Sequence, residues 1–293
     1  MTIDYVVPMV FNEDPVWRRT FAKTAAANHM TVSPDSARWR SWGMEELLIK
    51  CVRKYMPWVR DIIIILSSES QKQPWMGDHG VRIVLHDEFI PAKFLPTFNS
   101  RTIEMYLHKI PNLSRFFLYG NDDMFPLSPL KQSDFFVKNL PCQYYWEAPY
   151  PTMPSQFEMA CMNGLNFVAK DFGKVYKNTW LKNGHSIAAI DKNTCLHLWK
   201  EHAAEIEGSI SKFRKVRNYN QYIYGWYQLF SGKYVERVAR RKYAGVRIGL
   251  PRTLKLIKEP EPGIICVNDN DTLFTHRHFA KAVRNEITKK LNQ

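Results

Sequence analysis

Residues 61–68 read DIIIILSS, five aliphatic residues in a row with no polar residue among them. A strand with one face in water alternates apolar and polar positions, whereas an unbroken run fits a strand covered on both faces, as in a parallel sheet. The neighbouring segments supply the alternation that such a sheet needs. IDYVVPMVF at 3–11 and VRIVLHDEFI at 81–90 read as strands. MEELLIKCVRKY at 44–55 places Leu47, Leu48, Cys51 and Val52 at helical spacing before Met56-Pro57-Trp58 ends it. SRTIEMYLHKI at 100–110 predicts a helix with Ser100 as N-cap, and a strand follows over 115–119. The expected fold is therefore α/β, a mainly parallel central sheet flanked by helices. Further helices are expected over 191–207, 219–231 and 278–291. Residues 131–180, rich in Pro and aromatic residues, are expected to be an irregular insertion in a single domain (1–293) whose core is 1–130 plus 181–293.

The strand over 115–119 runs into Asn121-Asp122-Asp123. Two adjacent carboxylates at the end of a buried strand cost free energy unless positive charge sits beside them. Ligands of parallel sheets bind at the carboxyl ends of the strands, so the partner is an arginine or a metal ion. Mg²⁺ and Mn²⁺ prefer oxygen ligands, and a strand-end acidic pair is the layout by which nucleotide-sugar enzymes hold such an ion on a diphosphate. Asn and Asp also suit an ordinary turn. No G-x-x-x-x-G-K-[ST] loop occurs, which excludes a P-loop ATPase.

The chain of 293 residues carries a net charge of +13. Between Lys212 and Lys258 there are 13 basic residues against one acidic residue, Glu236. That block suits an anionic partner: nucleic acid, a phosphorylated polymer or an acidic membrane face. The five cysteines are odd in number and never in a C-x-x-C pair, so reduced thiols and a cytoplasmic location are expected, without disulfides or zinc. The amino-terminal segment carries Asp4 and no basic n-region, which is unlike a signal peptide, and no apolar run is long enough to span a bilayer.

LPTFNSRTIEMYLHKIPNLSRFFLYGNDDMF at 95–125 closely resembles the second signature region of the Stealth family. This family contains bacterial capsule and exopolysaccharide sugar-1-phosphate transferases and the catalytic subunit of the Golgi enzyme that places N-acetylglucosamine-1-phosphate on lysosomal hydrolases. Upstream, Arg38, Arg40, Gly43, Pro57 and Trp58 fall on the family's pattern, with Lys50 where Arg is usual. The stretch beginning GHSIAAIDKNTCLHLW is similar to the third region, with His185 and Arg217 as its marked residues. IICVNDND at 264–271 is similar to the fourth, with Asn268 and Asp269. The first region departs from the pattern: Asp14, Pro15 and Trp17 are kept, but Phe11 stands for the leading aspartate and Asn12 for the glycine.

The resemblance implies transfer of a hexose-1-phosphate from a nucleotide diphosphate sugar to a hydroxyl of a lipid-linked or polymeric glycan, on a fold like that of nucleotide-sugar transferases. In that setting Asp123, with Asp269 or Asn268, holds Mg²⁺ or Mn²⁺. His185 is the expected general base and Asp122 the competing one. Arg217, Arg38 and Arg40 suit phosphate oxygens. Glu104 is expected to orient the acceptor or an arginine, and Asp14, Lys50, Asn99, Ser100 and Asn121 complete the substrate-binding set. The basic block is expected to hold the protein peripherally on the anionic inner membrane face. Two other functions share features with this one. A metal-dependent glycosyltransferase shares the acidic pair but releases a nucleoside diphosphate. A basic nucleic-acid-binding protein shares only the charge, and no helix-turn-helix, KH or RRM motif is present.

Overall fold

The computed structural model describes residues 1–269 and 276–293. β1 (Ile3–Pro8), β2 (Ile62–Leu66), β3 (Arg82–Leu85) and β4 (Phe116–Tyr119) are parallel and hydrogen-bonded in the order β4-β1-β2-β3. β5 (Met124–Pro126) turns away after the aspartates. β6 (Phe136–Val137), β7 (Leu140–Gln143), β8 (Tyr145–Pro149) and β9 (Thr179–Asn183) follow, and β10 (Ala188–Asp191) returns to pair antiparallel with β4 at the edge of the main sheet. β11 (Val235–Glu236) joins β7. β12 (Arg241–Gly245), β13 (Ile264–Asn268) and β5 form a small mixed sheet that sets the fourth signature segment against Asp123.

Both faces of the main sheet are covered, which is why its strands need no polar alternation. On one face Tyr5, Val7, Ile62, Ile64 and Leu118 pack against Leu48, Ile49 and Val52 of α2 (Glu45–Tyr55) and Val283 and Ile287 of the carboxy-terminal helix at His276–Asn292. On the other, Val6, Ile63, Ile65 and Phe117 meet side chains from the segments 156–169, 192–209 and 222–230. Each such side chain, fully buried, contributes roughly 1.5–3 kcal/mol. No helix of the described residues is long and apolar enough to cross a membrane.

The remaining helices are α1 (Pro15–Ala27), α3 (Trp75–Asp78), α4 (Ser100–Tyr106), α5 (Gln156–Ala169), α6 (Lys192–Ser209), α7 (Tyr222–Phe230) and α8 (Leu250–Lys258), and the carboxy-terminal helix is α9. Residues 131–180 are not irregular. They hold β8, which pairs antiparallel with β9, and between the two the 14-residue α5, whose Ser155 and Glu158 form a reciprocal capping box. α5 packs its Leu165 and Val168 into the same core as Ile223 and Trp226 of α7. The strand expected over 81–90 stops at Leu85, where a 3₁₀ turn begins. The N-cap of α4 is Asn99 rather than Ser100.

Candidate active site

The backbone leaves β4 through Gly120, where a Cβ would lie 2.2 Å from the Tyr5 hydroxyl, so only glycine lets the tyrosine pass beneath the turn. Asp122 and Asp123 follow directly. Asp123 is fixed from its backbone, whose carbonyl accepts from Val267 N at 2.7 Å, and its Oδ2 accepts from Cys266 Sγ and Asn268 Nδ2, both at 3.3 Å. Asp123 Oδ1 and Asn268 Oδ1 are buried without a hydrogen-bond partner among the described residues, and so is the Tyr5 hydroxyl. Asp122 is pushed up to about 8, first by burial and then by the charges of Asp123 and Glu45. The end of β4 thus carries more negative potential than the chain itself compensates.

Asp123, His185 and Cys266 place one possible ligand atom each within 4.8 Å of one another. The thiol is the weakest of the three as a ligand. Burial and the two aspartates push its pKa well up, and it donates to Asp123 Oδ2 as an intact S–H. The unpartnered atoms are oxygens, from Asp123 and Asn268, and an oxygen set suits a small hard divalent cation.

His185 lies between two groups: its Nδ1 is 3.1 Å from the Tyr222 hydroxyl and its Nε2 is 3.5 Å from Asn121 Nδ2. With an amide nitrogen facing Nε2, the ring proton belongs on Nδ1 and is donated to Tyr222. The Nε2 lone pair then faces the aspartates' side of the site.

The opposite wall is built by aromatics. Trp17, Phe21, Trp39, Phe98 and Phe213 form a separate buried cluster, with Phe98 and Phe213 stacked at 5.4 Å and Trp39 Nε1 donating to Phe98 O. Three arginines flank this cluster in sequence. Arg38 lies over the Trp39 ring, with its guanidinium carbon 5.6 Å from the centroid, Arg214 follows Phe213, and Arg101 follows Phe98 by three residues. These three arginines face one another. Arg38 is lowered to about 10, first by burial and then by Arg214 and Arg101. Arg101 is lowered by burial and by Arg214. Arg214 donates to Ser100 Oγ at 2.7 Å, and its Nε is buried without a partner among the described residues. Its charge also reaches Asp122 and pulls that carboxyl's pKa down. Guanidiniums held together against their mutual repulsion form a ready site for an anion.

Several expected site residues serve other ends. Asp14 caps α1, accepting from Val16 N and Trp17 N, and takes Ser70 Oγ at 2.6 Å and Gln71 Nε2 at 2.9 Å as well, so its oxygens are spent inside the chain. Lys50 pairs with Glu46 at 2.7 Å on the exposed face of α2. Asn99 is buried, with its amide donating to Ser211 O and Asn218 Oδ1 and its carbonyl capping α4. Glu104 is buried too; it accepts from the Tyr119 hydroxyl at 3.2 Å and Gln221 N at 2.9 Å. Arg217 is exposed in the loop before α7. Arg40 binds Asp269 at 2.6 Å and Trp42 Nε1 donates to the same oxygen at 2.8 Å, so that carboxylate is turned to Arg40 and is not in the group around Asp123. Asn270 and Asp271, at the end of the fourth segment, lie outside the described residues. The structure thus brings together Asp122, Asp123, Asn268, Asn121, His185, Ser100 and Arg38, and adds Arg101, Arg214 and Tyr222, which spacing along one chain could not reveal.

The chain is similar in sequence to known proteins. The profile of Stealth protein conserved region 2 matches residues 38–143. A capsular polysaccharide phosphotransferase of Haemophilus influenzae is 31% identical over 304 residues, spanning 94% of this chain and 81% of its own length. The receptor polysaccharide phosphotransferase WefC of Streptococcus oralis is 28% identical, spanning 91% of this chain and 90% of its own. Among solved structures, the galactosyltransferase LgtC with donor and acceptor sugar analogs superposes loosely, with a TM-score of 0.44 at 11% identity over 96% of this chain and 95% of that one. With the second signature region matched and an alignment of 31% identity running nearly end to end, the chain belongs to the Stealth family.

Proposed function

We propose that this phosphotransferase moves a sugar-1-phosphate from a nucleotide diphosphate sugar to a hydroxyl of a glycan acceptor, in the synthesis of a bacterial capsule or surface polysaccharide. The observation that carries the reading is the pairing of opposites at one sheet end: unpartnered oxygens of Asp123 and Asn268 beside three arginines without a full set of carboxylates. A diphosphate bridged to a divalent cation completes both halves at once.

The chemistry follows from placement. The acceptor oxygen forms a bond to the phosphorus that bears the sugar, and the bond from that phosphorus to the bridging oxygen breaks, releasing a nucleoside monophosphate. Such a transfer asks for alignment and charge neutralisation more than for covalent help. Asp123 and Asn268 would hold Mg²⁺ or Mn²⁺, which when bound neutralises the diphosphate. Arg214, Arg101 and Arg38 take its free oxygens, with Ser100 aiming Arg214. His185 removes the acceptor proton at Nε2, Tyr222 fixing the ring from Nδ1. Asp122, pushed up to about 8 by burial and by Asp123, is the competing candidate for that step.

Incubation with a panel of nucleotide sugars plus Mg²⁺ or Mn²⁺ tests this. Release of a nucleoside monophosphate supports it; release of a diphosphate means that the sugar alone is transferred. The same reading places the acceptor on an anionic surface. α8 exposes Arg252, Lys255 and Lys258, with Arg247 exposed just before it. Flotation with anionic liposomes is expected at low ionic strength and lost at high salt; no flotation at low salt refutes membrane attachment.

A further inference from the structure

A second cationic site lies beside Gly184, one residue from His185, and nothing in the mechanism uses it. Arg241, the first residue of β12, is half-buried, and its guanidinium lies over Gly184: a Cβ there would sit 2.3 Å from the guanidinium carbon. Glycine at 184 therefore makes the space that this guanidinium fills, one residue from the proposed base. Around it stand Tyr144, Tyr145 and Tyr222, and among the described residues no carboxylate pairs with it. Burial lowers its pKa, as expected of a desolvated cation without a counter-ion.

The guanidinium borders a cavity of about 30 Å³, lined among others by Tyr144, Gly184, Ser186, Arg237 and Arg241. That volume accommodates about two water molecules. Arg237 is exposed and donates to Ser133 O at 2.8 Å. The one acid lining the cavity, Asp134, has Oδ2 engaged with Lys131 N at 2.7 Å. Tyr144 is 40% exposed at the rim and lies against Trp146, with ring centroids 6.2 Å apart.

We propose that Arg241, with Arg237, binds a phosphodiester already present in the acceptor glycan, one sugar back from the hydroxyl that reacts. A phosphodiester presents one negative charge on two free oxygens, a match in geometry to a guanidinium fork. Tyr144 and Trp146 at the rim offer faces for the flanking sugar. Because the transfer itself creates a phosphodiester, the site reads the enzyme's own product and favours extension of a begun chain over a neutral starter. This rests on the function proposed above.

The test is equilibrium binding, so that it stands apart from turnover. The probes are a hexose-1-phosphoryl-hexose disaccharide, its uncharged 1→6-linked counterpart, and a nucleoside diphosphate with Mg²⁺ as donor-side control. The full chain is expected to hold the phosphodiester about tenfold tighter than the neutral sugar at low ionic strength, as a charge-assisted bidentate contact implies. R241Q removes that preference, R241K keeps part of it, R237Q weakens it less, and nucleotide binding is unchanged in all three. The proposal is overturned if the intact protein shows no preference, if the preference is undiminished in these variants, or if they weaken the nucleotide equally. Should R241Q not fold, R241K and R237Q decide by the same criteria. Absence of nucleoside monophosphate release would sink the proposed reaction and leave this binding result standing.

Discussion

The main sheet carries acidic side chains at both of its ends, and the two ends are finished differently. At the start of β1, Asp4 is fully buried; Arg60 grips it with Nε at 2.8 Å and a terminal nitrogen at 2.7 Å, and Ser114 N adds a third donor at 2.7 Å. Past the end of β4, Asp123 has one oxygen without a partner among the described residues and the other touched by a thiol and an amide at 3.3 Å, and Asp122 beside it is pushed up to about 8. A buried carboxylate whose cation belongs to the chain is structure. One whose compensation is incomplete needs a ligand to complete it, and the difference shows in the hydrogen bonds, whatever the residue type.

Substitution should separate the two ends cleanly. Asp123→Asn is expected to lower turnover by on the order of 10³-fold, the several kcal/mol that a metal supplies to charge in a transition state. Its melting temperature should hold or rise, because the change relieves repulsion with Asp122. Asp4→Asn should do the reverse, losing about 3 kcal/mol of stability because its buried amide nitrogen would face a donor of Arg60 or Ser114 N, with kcat of the folded protein retained. Monophosphate release and thermal melts read both effects, and swapped outcomes would invert the assignment of the two ends.

Titration sharpens the contrast next. The folded-state pKa of Asp122 is raised above its unfolded value, so the folded protein binds more protons than the unfolded one across the interval from about 4 to about 8. Stability contributed by the neutral carboxyl is fully present below that window and is lost as pH rises through it. In chelator, the loss from Asp122 should amount to roughly 2–3 kcal/mol once solvent screening is allowed for. Asp122→Asn should flatten the slope, and added Mg²⁺ at neutral pH should reduce it with proton release. A slope unchanged by Asp122→Asn in denaturation at several pH values would place the titrating group elsewhere.

Much of this was legible in the sequence because it is local. Ile62–Leu66 announces a sheet covered on both faces, and the abrupt change from Phe116–Tyr119 to Asn121-Asp122-Asp123 marks the rim. α5 was missed: the prolines and aromatics around it read as loop, although Ser155-x-x-Glu158 ahead of an apolar run is a capping-box signal. The arginine wall was not legible. Arg101 and Arg214 are 113 residues apart and meet because Phe98 stacks on Phe213 and Asn99 and Thr102 donate to Ser211 O, and no pattern along a single chain records those contacts. Chemical type alone also overstates function: Asp14, Lys50 and Asn99 have suitable groups that are satisfied by a helix cap, an i,i+4 pair and a buried amide network.

Glu104 tests where the line between the two kinds of carboxylate falls. It lies within the active-site half of the molecule, yet its oxygens are engaged as those of Asp4 are, by the Tyr119 hydroxyl and by Gln221 N at the mouth of α7. Its charge also supports Arg101. Glutamine at this position keeps one oxygen for Gln221 N and turns an amide toward Tyr119, whose hydroxyl can accept in its place, so the contacts survive and the charge does not. Glu104→Gln should therefore cost about 1–2 kcal/mol of stability and lower kcat only about tenfold, through a less well-set Arg101 and α7, with the pH profile of kcat unmoved. If the residue instead handled the acceptor proton, kcat would fall toward the level of Asp123→Asn and the acidic limb of the profile would vanish. In that event engagement by internal donors would no longer mark a carboxylate as structural at this end of the sheet.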